Sequence, residues 1–223
     1  MSDTTTISNT GTISNTGREA HWQAVYTSKG ETEVSWFESN PAVSLDLIAQ
    51  VQPRPDAAVI DIGGGASRLV DGLLARGFTD VTVLDLSEAA LAAARARLGG
   101  PAAQVAWLAA DATTWQPTRS YAVWHDRAAF HFLTDPADCA AYLARLRRAV
   151  APGGHAILGT FAPDGPARCS GLPVMRYDAD SLAATLGPAF ALLDTRRHAH
   201  VTPSGAVQRF QFSTFRRTDA VVP

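Results

Sequence analysis

Lysine is almost absent from this sequence, since Lys29 is the only lysine among its 19 basic side chains. That scarcity excludes any mechanism that needs a lysine elsewhere in the chain. Cysteine is scarce too: the chain has two, Cys139 and Cys169. Two cysteines are too few for a disulfide scaffold, so we expect a reducing, cytoplasmic compartment.

Long apolar runs and a strong net charge are also missing. No run reaches the roughly 18 apolar residues that a membrane span requires, and the N-terminus has no signal-peptide pattern, so we expect no membrane partner. A net charge of −2 gives no field that would attract nucleic acid. With 46% hydrophobic and 18% charged residues, the composition is that of a soluble globular domain.

The first 17 residues are mostly polar and repetitive. The hexapeptide Thr-Ile-Ser-Asn-Thr-Gly occurs at 6–11 and again at 12–17. Such a segment buries too little apolar surface to offset its ordering entropy, so we predict disorder for 1–17 and one domain over 18–223. Within that domain, residues 18–50 are predicted to form a helical lid, whose second helix is opened by Asn40 as cap and Pro41 as first residue.

A glycine turn follows the first predicted strand. The apolar run around Val59–Ile62 contains Asp61 near its end, and three glycines come directly after it. Glycine adopts backbone angles closed to other residues and lets a ligand approach the main chain. Open α/β sheets bind ligands beyond their strand ends, so this turn is the predicted binding site.

Carboxylates also end the next two predicted strands. Asp85 closes the strand that begins at Val81, and Asp111 follows the strand Val105–Ala109. An acid at the tip of the second strand is placed to accept hydrogen bonds from both hydroxyls of a ribose. Three acids in register beside a glycine turn therefore indicate a nucleoside site.

The rest of the chain continues the alternation of strands and helices. We predict strands at Tyr121–His125 and His155–Phe161, and an antiparallel hairpin of Phe190–Ala199 and Val207–Phe215. This pattern predicts an α/β fold with a doubly wound, Rossmann-like sheet and an antiparallel edge. His198 and His200 share one side of a strand, but with no third ligand nearby we predict no metal site.

From about Arg18 to Arg217 the chain resembles the class I S-adenosylmethionine-dependent methyltransferases. The resemblance rests on Asp61–Ser67, Leu84–Ser87, Asp111-Ala112 and Pro152-Gly153-Gly154, although Ser67 stands where the family usually has a third glycine. It implies a seven-stranded sheet with the last strand antiparallel and S-adenosylmethionine as cofactor. It also implies that Gly63 and Gly65 line the methionine moiety, Asp85 the ribose, and Asp111 with Ala112 the adenine.

Within that family the chain is similar to the thiopurine S-methyltransferase-like and related small-molecule thiol methyltransferases. The similarity lies in Trp22-Gln23 with Trp36, in Trp124–Ala129, and in Gly171-Leu172-Pro173. It implies that Trp22 and Trp36 cover the cofactor and that Arg127 faces the substrate. His125 separates Trp124 from Asp126, whereas those relatives have the tryptophan directly before Asp-Arg. The remaining candidate cofactor-binding residues are Asp61, Gly64, Leu86 and His125.

The predicted reaction is methyl transfer to a small, soft nucleophile. A guanidinium at Arg127 favours a thiolate, because an opposite charge lowers a thiol pKa by about 1–3 units. With an amine or hydroxyl acceptor, His131 or Asp126 would accept the proton. Three alternatives remain: a protein lysine or N-terminal methyltransferase, an NAD(P)-dependent reductase, and a non-catalytic cofactor-binding module. The reductase is disfavoured because Tyr26 and Lys29 do not have the four-residue spacing of its catalytic pair.

Overall fold

The structure is a computed structural model that describes residues 15–218. Residues 1–14 of the segment predicted to be disordered lie outside the described residues. The first helix begins at Asn15, three residues before the predicted start of the domain.

Helices alternate with strands along the described part of the chain. The helices are α1 (Asn15–Ser28), α2 (Ala42–Gln50), α3 (Leu69–Ala75), α4 (Glu88–Leu98), α5 (Pro136–Ala149) and α6 (Ala179–Leu186). The strands are β1 (Val59–Ile62), β2 (Val81–Asp85), β3 (Val105–Ala109), β4 (Tyr121–Arg127), β5 (Val150–Phe161), β6 (Arg168–Cys169), β7 (Leu172–Pro173), β8 (Phe190–Val201) and β9 (Val207–Arg217).

Seven of these strands form one sheet in the order β3-β2-β1-β4-β5-β9-β8. The first five are mutually parallel, and β9 runs antiparallel to both of its neighbours. This arrangement confirms the predicted Rossmann-like sheet with an antiparallel hairpin. The order reverses at β1 and β4, so the crevice that binds ligands in such folds lies at their carboxyl ends.

Some predicted element boundaries differ from the structure. β4 continues to Arg127, so Asp126 and Arg127 belong to the strand rather than to the loop after it. β5 begins at Val150, and Pro152-Gly153-Gly154 lies within it, beside an irregularity in its pairing with β4. The two-stranded β6–β7 hairpin lies between β5 and α6, where no strand was predicted.

The N-terminal caps of two helices, α4 and α2, differ in kind. Ser87 caps α4, since its Oγ accepts a hydrogen bond from the Ala90 N–H at 3.2 Å. The prediction for α2 was wrong: Pro41 occupies the cap position and no side chain caps the helix. A backbone hydrogen bond is made at this end of the helix instead, from the Ala42 N–H to the Asn40 carbonyl at 2.8 Å.

Apolar side chains cover both faces of the sheet. One cluster surrounds the fully buried Trp124 and Tyr142, and the other surrounds Leu47, Ile48 and Leu73. Burying a side chain of this size contributes about 1.5–3 kcal/mol relative to leaving it exposed. The sheet is therefore a rigid base for the loops at its carboxyl edge. Among the described helices, none is both long enough and apolar enough to span a bilayer.

Candidate active site

An open cavity lies at the carboxyl ends of β1 to β4. Its walls come from α1, the loop after it, the strand tips, β6 and β9. Eight of the residues predicted for the site line the cavity: Trp22, Trp36, Gly63, Asp85, Leu86, Asp111, Ala112 and Arg127. Six other predicted residues do not appear in its walls: Asp61, Gly64, Gly65, His125, Asp126 and His131.

The glycine turn is shaped by close packing. Gly63 and Gly65 have positive φ angles of 66° and 42°. A Cβ atom at Gly63 would lie 2.6 Å from the Ala129 Cβ, and one at Gly65 would lie 2.8 Å from the Asp85 Oδ2. Only glycine satisfies both the angles and the space. The turn therefore brings bare backbone close to the tips of β2 and β4.

Asp85 presents a buried carboxylate at the tip of β2. Its Oδ1 accepts a hydrogen bond from the Ser87 N–H at 2.8 Å, and the backbone N–H groups of Gly65 and Leu86 also donate to it. Burial nevertheless raises the pKa of Asp85 to about 7. A carboxylate so poorly solvated gains from further hydroxyl donors, which is what two ribose hydroxyls supply.

Asp111 connects the tip of β3 to α1. Its Oδ1 accepts hydrogen bonds from the N–H and Oγ1 of Thr113, both at 2.7 Å, while its Oδ2 lies 3.1 Å from the Arg18 guanidinium. Arg18 also pairs with Asp138. These donors hold the pKa of Asp111 below its ordinary value despite burial. The carboxylate thus fixes the start of α1 over the tip of β3.

Five aromatic side chains in the cavity walls form an aromatic compartment: Trp22, Tyr26, Trp36, Phe132 and Phe210. The Trp22 ring meets Trp36 at 5.6 Å and Phe132 at 5.0 Å between centroids, both edge to face. The Trp36 Nε1–H donates to the Tyr26 hydroxyl at 3.1 Å. Ring contacts therefore join α1, the loop after it and the loop after β4.

Arg127 places a cation in this compartment. Its Nη1 donates to the Trp36 carbonyl at 2.9 Å, its Nη2 lies 3.2 Å from Glu38 Oε1, and its guanidinium lies 5.0 Å above the Phe210 ring. The side chain is 12% exposed, and its Nε atom is buried without a hydrogen-bond partner in the part of the chain that the structure describes. Burial lowers the pKa of Arg127. An anion or acceptor atom in the compartment would satisfy the Nε–H.

Several groups in these walls were not among the predicted site residues, including Cys169, Gln208 and Phe210. Burial raises the pKa of the Cys169 thiol to about 11, so it is uncharged at neutral pH. Gln208 is 9% exposed, and its Oε1 has no hydrogen-bond partner among the described residues. Trp22 and Tyr26 both lie on α1, and only the fold shows that both line the cavity.

Asp126 supports the loop after β4 from below. Its carboxylate accepts hydrogen bonds from the Ala129 and Phe130 N–H groups and, at 2.6 Å, from the Tyr142 hydroxyl. It is fully buried, and burial raises its pKa to about 6. Its contacts are those of a structural anchor that shapes the cavity floor.

His131 lies on the far side of the same loop. The ring is fully buried against Phe132 and Phe161, and its Nδ1 accepts a hydrogen bond from the Phe161 N–H at 3.3 Å. Burial, assisted by the charge of Arg127, lowers the pKa of His131 to about 3. A ring that stays neutral outside the cavity walls is not placed to accept a proton from a bound acceptor.

Two further predictions concern histidines. His125 and Asp61 lie beneath the glycine turn, in hydrogen-bond contact with each other rather than with the cavity. The expectation that His198 and His200 lack a third ligand was wrong: Glu38, from the loop before α2, lies beside both. Since 160 positions separate Glu38 from His198 in the sequence, only the fold brings them together.

Comparison with known proteins identifies the family of this chain. The methyltransferase-domain family matches residues 59–154. A trans-aconitate 2-methyltransferase of Rhizobium leguminosarum bv. trifolii is 31% identical over 192 residues, which cover 84% of this chain and 67% of that protein. One of Sinorhizobium medicae is 30% identical over 190 residues, covering 84% and 66%. The chain belongs to the class I S-adenosylmethionine-dependent methyltransferases.

The chain spans about two thirds of the length of these methyltransferases. A solved structure agrees on the fold: the 1,6-didemethyltoxoflavin-N1-methyltransferase of Burkholderia thailandensis matches with a TM-score of 0.67 and 22% identity. That match covers 93% of this chain and 92% of the other. Membership of the family gives the enzyme class, a methyltransferase, and the cofactor, S-adenosylmethionine.

The residues of the cavity fit this cofactor. Asp85 offers a buried carboxylate that gains from ribose hydroxyls, and Ala110, Ala112 and Leu86 make an apolar slot at the tips of β2 and β3. Gly63 brings backbone to the methionine end, next to the tryptophans of the aromatic compartment. A sulfonium close to such rings gains about 0.5–2 kcal/mol from cation–π attraction.

Proposed function

We propose that the chain transfers a methyl group to a small, soft nucleophile, such as a thiol or another chalcogen compound, held in the aromatic compartment. The observation that carries this proposal is Arg127: a buried cation with an unsatisfied Nε–H, stacked on Phe210 in a cavity walled by rings. Such a site favours an anionic nucleophile that is otherwise poorly hydrated.

The closure of the compartment supports a small acceptor over a protein. α1 is fixed across the crevice by Arg18 on Asp111 and by Gln23, whose Oε1 accepts hydrogen bonds from the Ser87 hydroxyl and the Ala89 N–H. A peptide would need an open groove where these contacts lie. The similar proteins named above point the same way, because their names give trans-aconitate and 1,6-didemethyltoxoflavin, both small molecules.

The charges in the cavity argue against a tricarboxylate such as trans-aconitate as acceptor. Two arginines line the cavity, and each already pairs with acidic side chains: Arg18 with Asp111 and Asp138, and Arg127 with Glu38. Three added carboxylates would be desolvated without matching cations, which is costly. One thiolate needs only the open Nε–H of Arg127.

The chain's own groups suit this chemistry without a general base. When bound, S-adenosylmethionine supplies an electrophilic methyl group on a positively charged sulfur. Arg127 stabilises the thiolate of the acceptor, whose free pKa is near 8.5, by lowering that pKa about 1–3 units. The proton leaves to solvent before transfer. The rings of the compartment exclude water and hold the nucleophile in line, which contributes roughly 7–11 kcal/mol when alignment is good.

Residues predicted as bases take supporting roles in this scheme. Asp126 anchors the loop that carries Ala129 and Phe130, and His131 packs behind it. We also propose a reducing, cytoplasmic setting, which the free thiols of Cys139 and Cys169 support.

The proposal is tested by incubating the full chain with methyl-labelled S-adenosylmethionine and single acceptors. The panel contains small thiols, selenide, halide, amines, trans-aconitate and a cell extract. We expect label on a thiol or selenium compound and none on trans-aconitate. Label on protein alone, or on trans-aconitate before any thiol, would overturn the choice of acceptor.

A further inference from the structure

Three metal-binding side chains from distant parts of the sequence meet outside the aromatic compartment. Glu38 precedes α2, whereas His198 and His200 lie two apart on one face of β8. Oε1 of Glu38 lies 3.7 Å from Nε2 of His198 and 3.5 Å from Nδ1 of His200. All three ligand atoms lie within 4.8 Å of one another.

These separations match those around one small ion. Zinc binds imidazole nitrogen at about 2.0–2.1 Å and carboxylate oxygen at about 2.0–2.2 Å, so neighbouring ligands of a tetrahedral site are about 3.4 Å apart. The two separations from Glu38 exceed this value by only 0.1 and 0.3 Å. Small rotations of the side chains would complete the coordination.

The tautomer of His200 gives a second, independent reason. Its Nε2 lies 2.8 Å from the Ser35 carbonyl oxygen, which can only accept a hydrogen bond, so Nε2 carries the proton. That hydrogen bond leaves Nδ1, the ring nitrogen 3.5 Å from Oε1 of Glu38, as the atom that can bind a metal ion. A ring N–H donated to a carbonyl is also how metal-binding histidines are usually oriented.

We propose that Glu38, His198 and His200 form a divalent transition-metal site, with Zn²⁺ as the expected occupant. Two imidazoles and one carboxylate suit zinc and its neighbours, whereas calcium and magnesium prefer oxygen ligands alone. An ion can enter from solvent, because the His198 side chain is 30% exposed. His200 and Glu38 are 4% and 16% exposed and close the inner side.

The ion would attach the loop that carries Glu38 and Trp36 to β8, and it would change the charge balance around Arg127. Glu38 belongs to the loop that also carries Trp36, so a bond from Glu38 to β8 would tie one wall of the compartment to the sheet. The same Oε1 lies 3.2 Å from Nη2 of Arg127. A metal that shares this carboxylate leaves more of the Arg127 charge for an acceptor anion. This effect on the acceptor rests on the proposed function, whereas metal binding itself does not.

The test is titration of the metal-free full chain with Zn²⁺ alone, by calorimetry and by elemental analysis after dialysis. We expect one ion per chain. His198→Ala, His200→Ala and Glu38→Gln should each weaken binding by at least about tenfold. His155→Ala, which removes a half-buried histidine from β5 outside the cluster, is the matched control and should bind zinc like the wild type.

Cofactor titration of each variant checks that the fold is intact and needs no acceptor. His198→Ala is the most informative variant, since its exposed ring can be removed with little loss of packing. Substoichiometric zinc, or equal affinity in His198→Ala and wild type, would refute the site. Absence of zinc binding in the wild type would refute the site as well. None of these results would change the outcome of the acceptor panel, so the two proposals can fail separately.

Discussion

Nδ1 of His125 lies 2.7 Å from Oδ1 of Asp61, and parallel strands β4 and β1 set the two residues side by side in register. Both are almost fully buried, at 2% and 3% exposure. The other ring nitrogen of His125 lies 2.9 Å from the Ser44 hydroxyl on α2. The pair thus joins β1, β4 and α2 directly beneath the glycine turn.

His125→Ala should therefore destabilise the protein. The substitution leaves the buried Asp61 carboxylate without this hydrogen-bond partner, which costs about 1–3 kcal/mol. The free energy of unfolding, measured by urea denaturation, should fall by that amount. His155→Ala on β5 is the control, with an expected change within about 1 kcal/mol. Equal losses in the two variants would show that the His125–Asp61 contact is not special.

Cofactor affinity should rise with pH through neutrality because of Asp85. Burial raises the pKa of Asp85 to about 7 in the free protein, and ribose hydroxyls donate to the ionised form. Below that pKa the carboxylate is protonated and loses acceptor capacity, so binding at pH 6 should be about tenfold weaker than at pH 8. Calorimetric titration with S-adenosylmethionine at several pH values measures this directly.

Asp85→Asn is the matched variant for that titration. It keeps the size of the side chain but has no proton to lose, so its affinity should be lower at pH 8 and flat with pH. A wild-type affinity that does not vary between pH 6 and 8 would contradict the placement of the ribose on Asp85. The same raised pKa means that, for this group alone, the stability of the cofactor-free fold falls as pH rises from about 4 to 7.

Arg127→Ala should reduce turnover on a thiol acceptor while cofactor affinity changes little. The loss of a nearby cation raises the acceptor pKa by about 1–3 units, back to about 8.5, so the thiolate fraction and the rate at pH 7 should fall about 8- to 30-fold and recover as pH rises. The pH–rate profile therefore separates this role from simple loss of packing. Arg127→Lys should lose less, because it keeps the charge.

An exposed arginine provides the control for Arg127. Arg119 pairs with Asp80 on the surface, and Arg119→Ala should leave both turnover and its pH profile unchanged. A uniform fall in rate at every pH in Arg127→Ala would instead assign the residue to holding Trp36, whose carbonyl it contacts.

His131→Leu should affect stability more than the pH profile. The pKa of His131 is lowered to about 3, so the ring is neutral throughout the range in which a histidine base would titrate. The variant deprives the Phe161 N–H of its acceptor, which costs about 1–3 kcal/mol of unfolding free energy. If the wild-type rate profile has an inflection near pH 6 to 7 that His131→Leu lacks, His131 acts as a base and this assignment is wrong.

The cofactor half of the site was predictable because its signals are local. Asp61, Asp85 and Asp111 each follow an apolar run, and parallel strands bring such tips to one edge. The spacing of the glycines required no knowledge of tertiary structure. What sequence could not show is which acid faces the cavity: Asp85 does, whereas Asp61 turns beneath the sheet edge to His125.

The acceptor half could not be predicted in this way. Gln208 and Phe210 reach the aromatic compartment only because β9 inserts beside β5, and Cys169 arrives on a two-residue strand. Nothing in their sequence neighbourhood marks them as functional. The Glu38–His198–His200 cluster was missed for the same reason, since its members are adjacent only after the hairpin forms the edge of the sheet.

Because β9 lies near the end of the sequence, the cavity is built from segments that are synthesised at different times. The turn at Gly63 and the tips of β2 and β3 can assemble from neighbouring segments of a growing polypeptide, before Phe210 has left the ribosome. Gln208 and Phe210 therefore reach the proposed acceptor site from a later stretch of sequence than the turn and the strand tips. Exchange of the β8–β9 hairpin between related enzymes should alter what is methylated without rebuilding what donates the methyl.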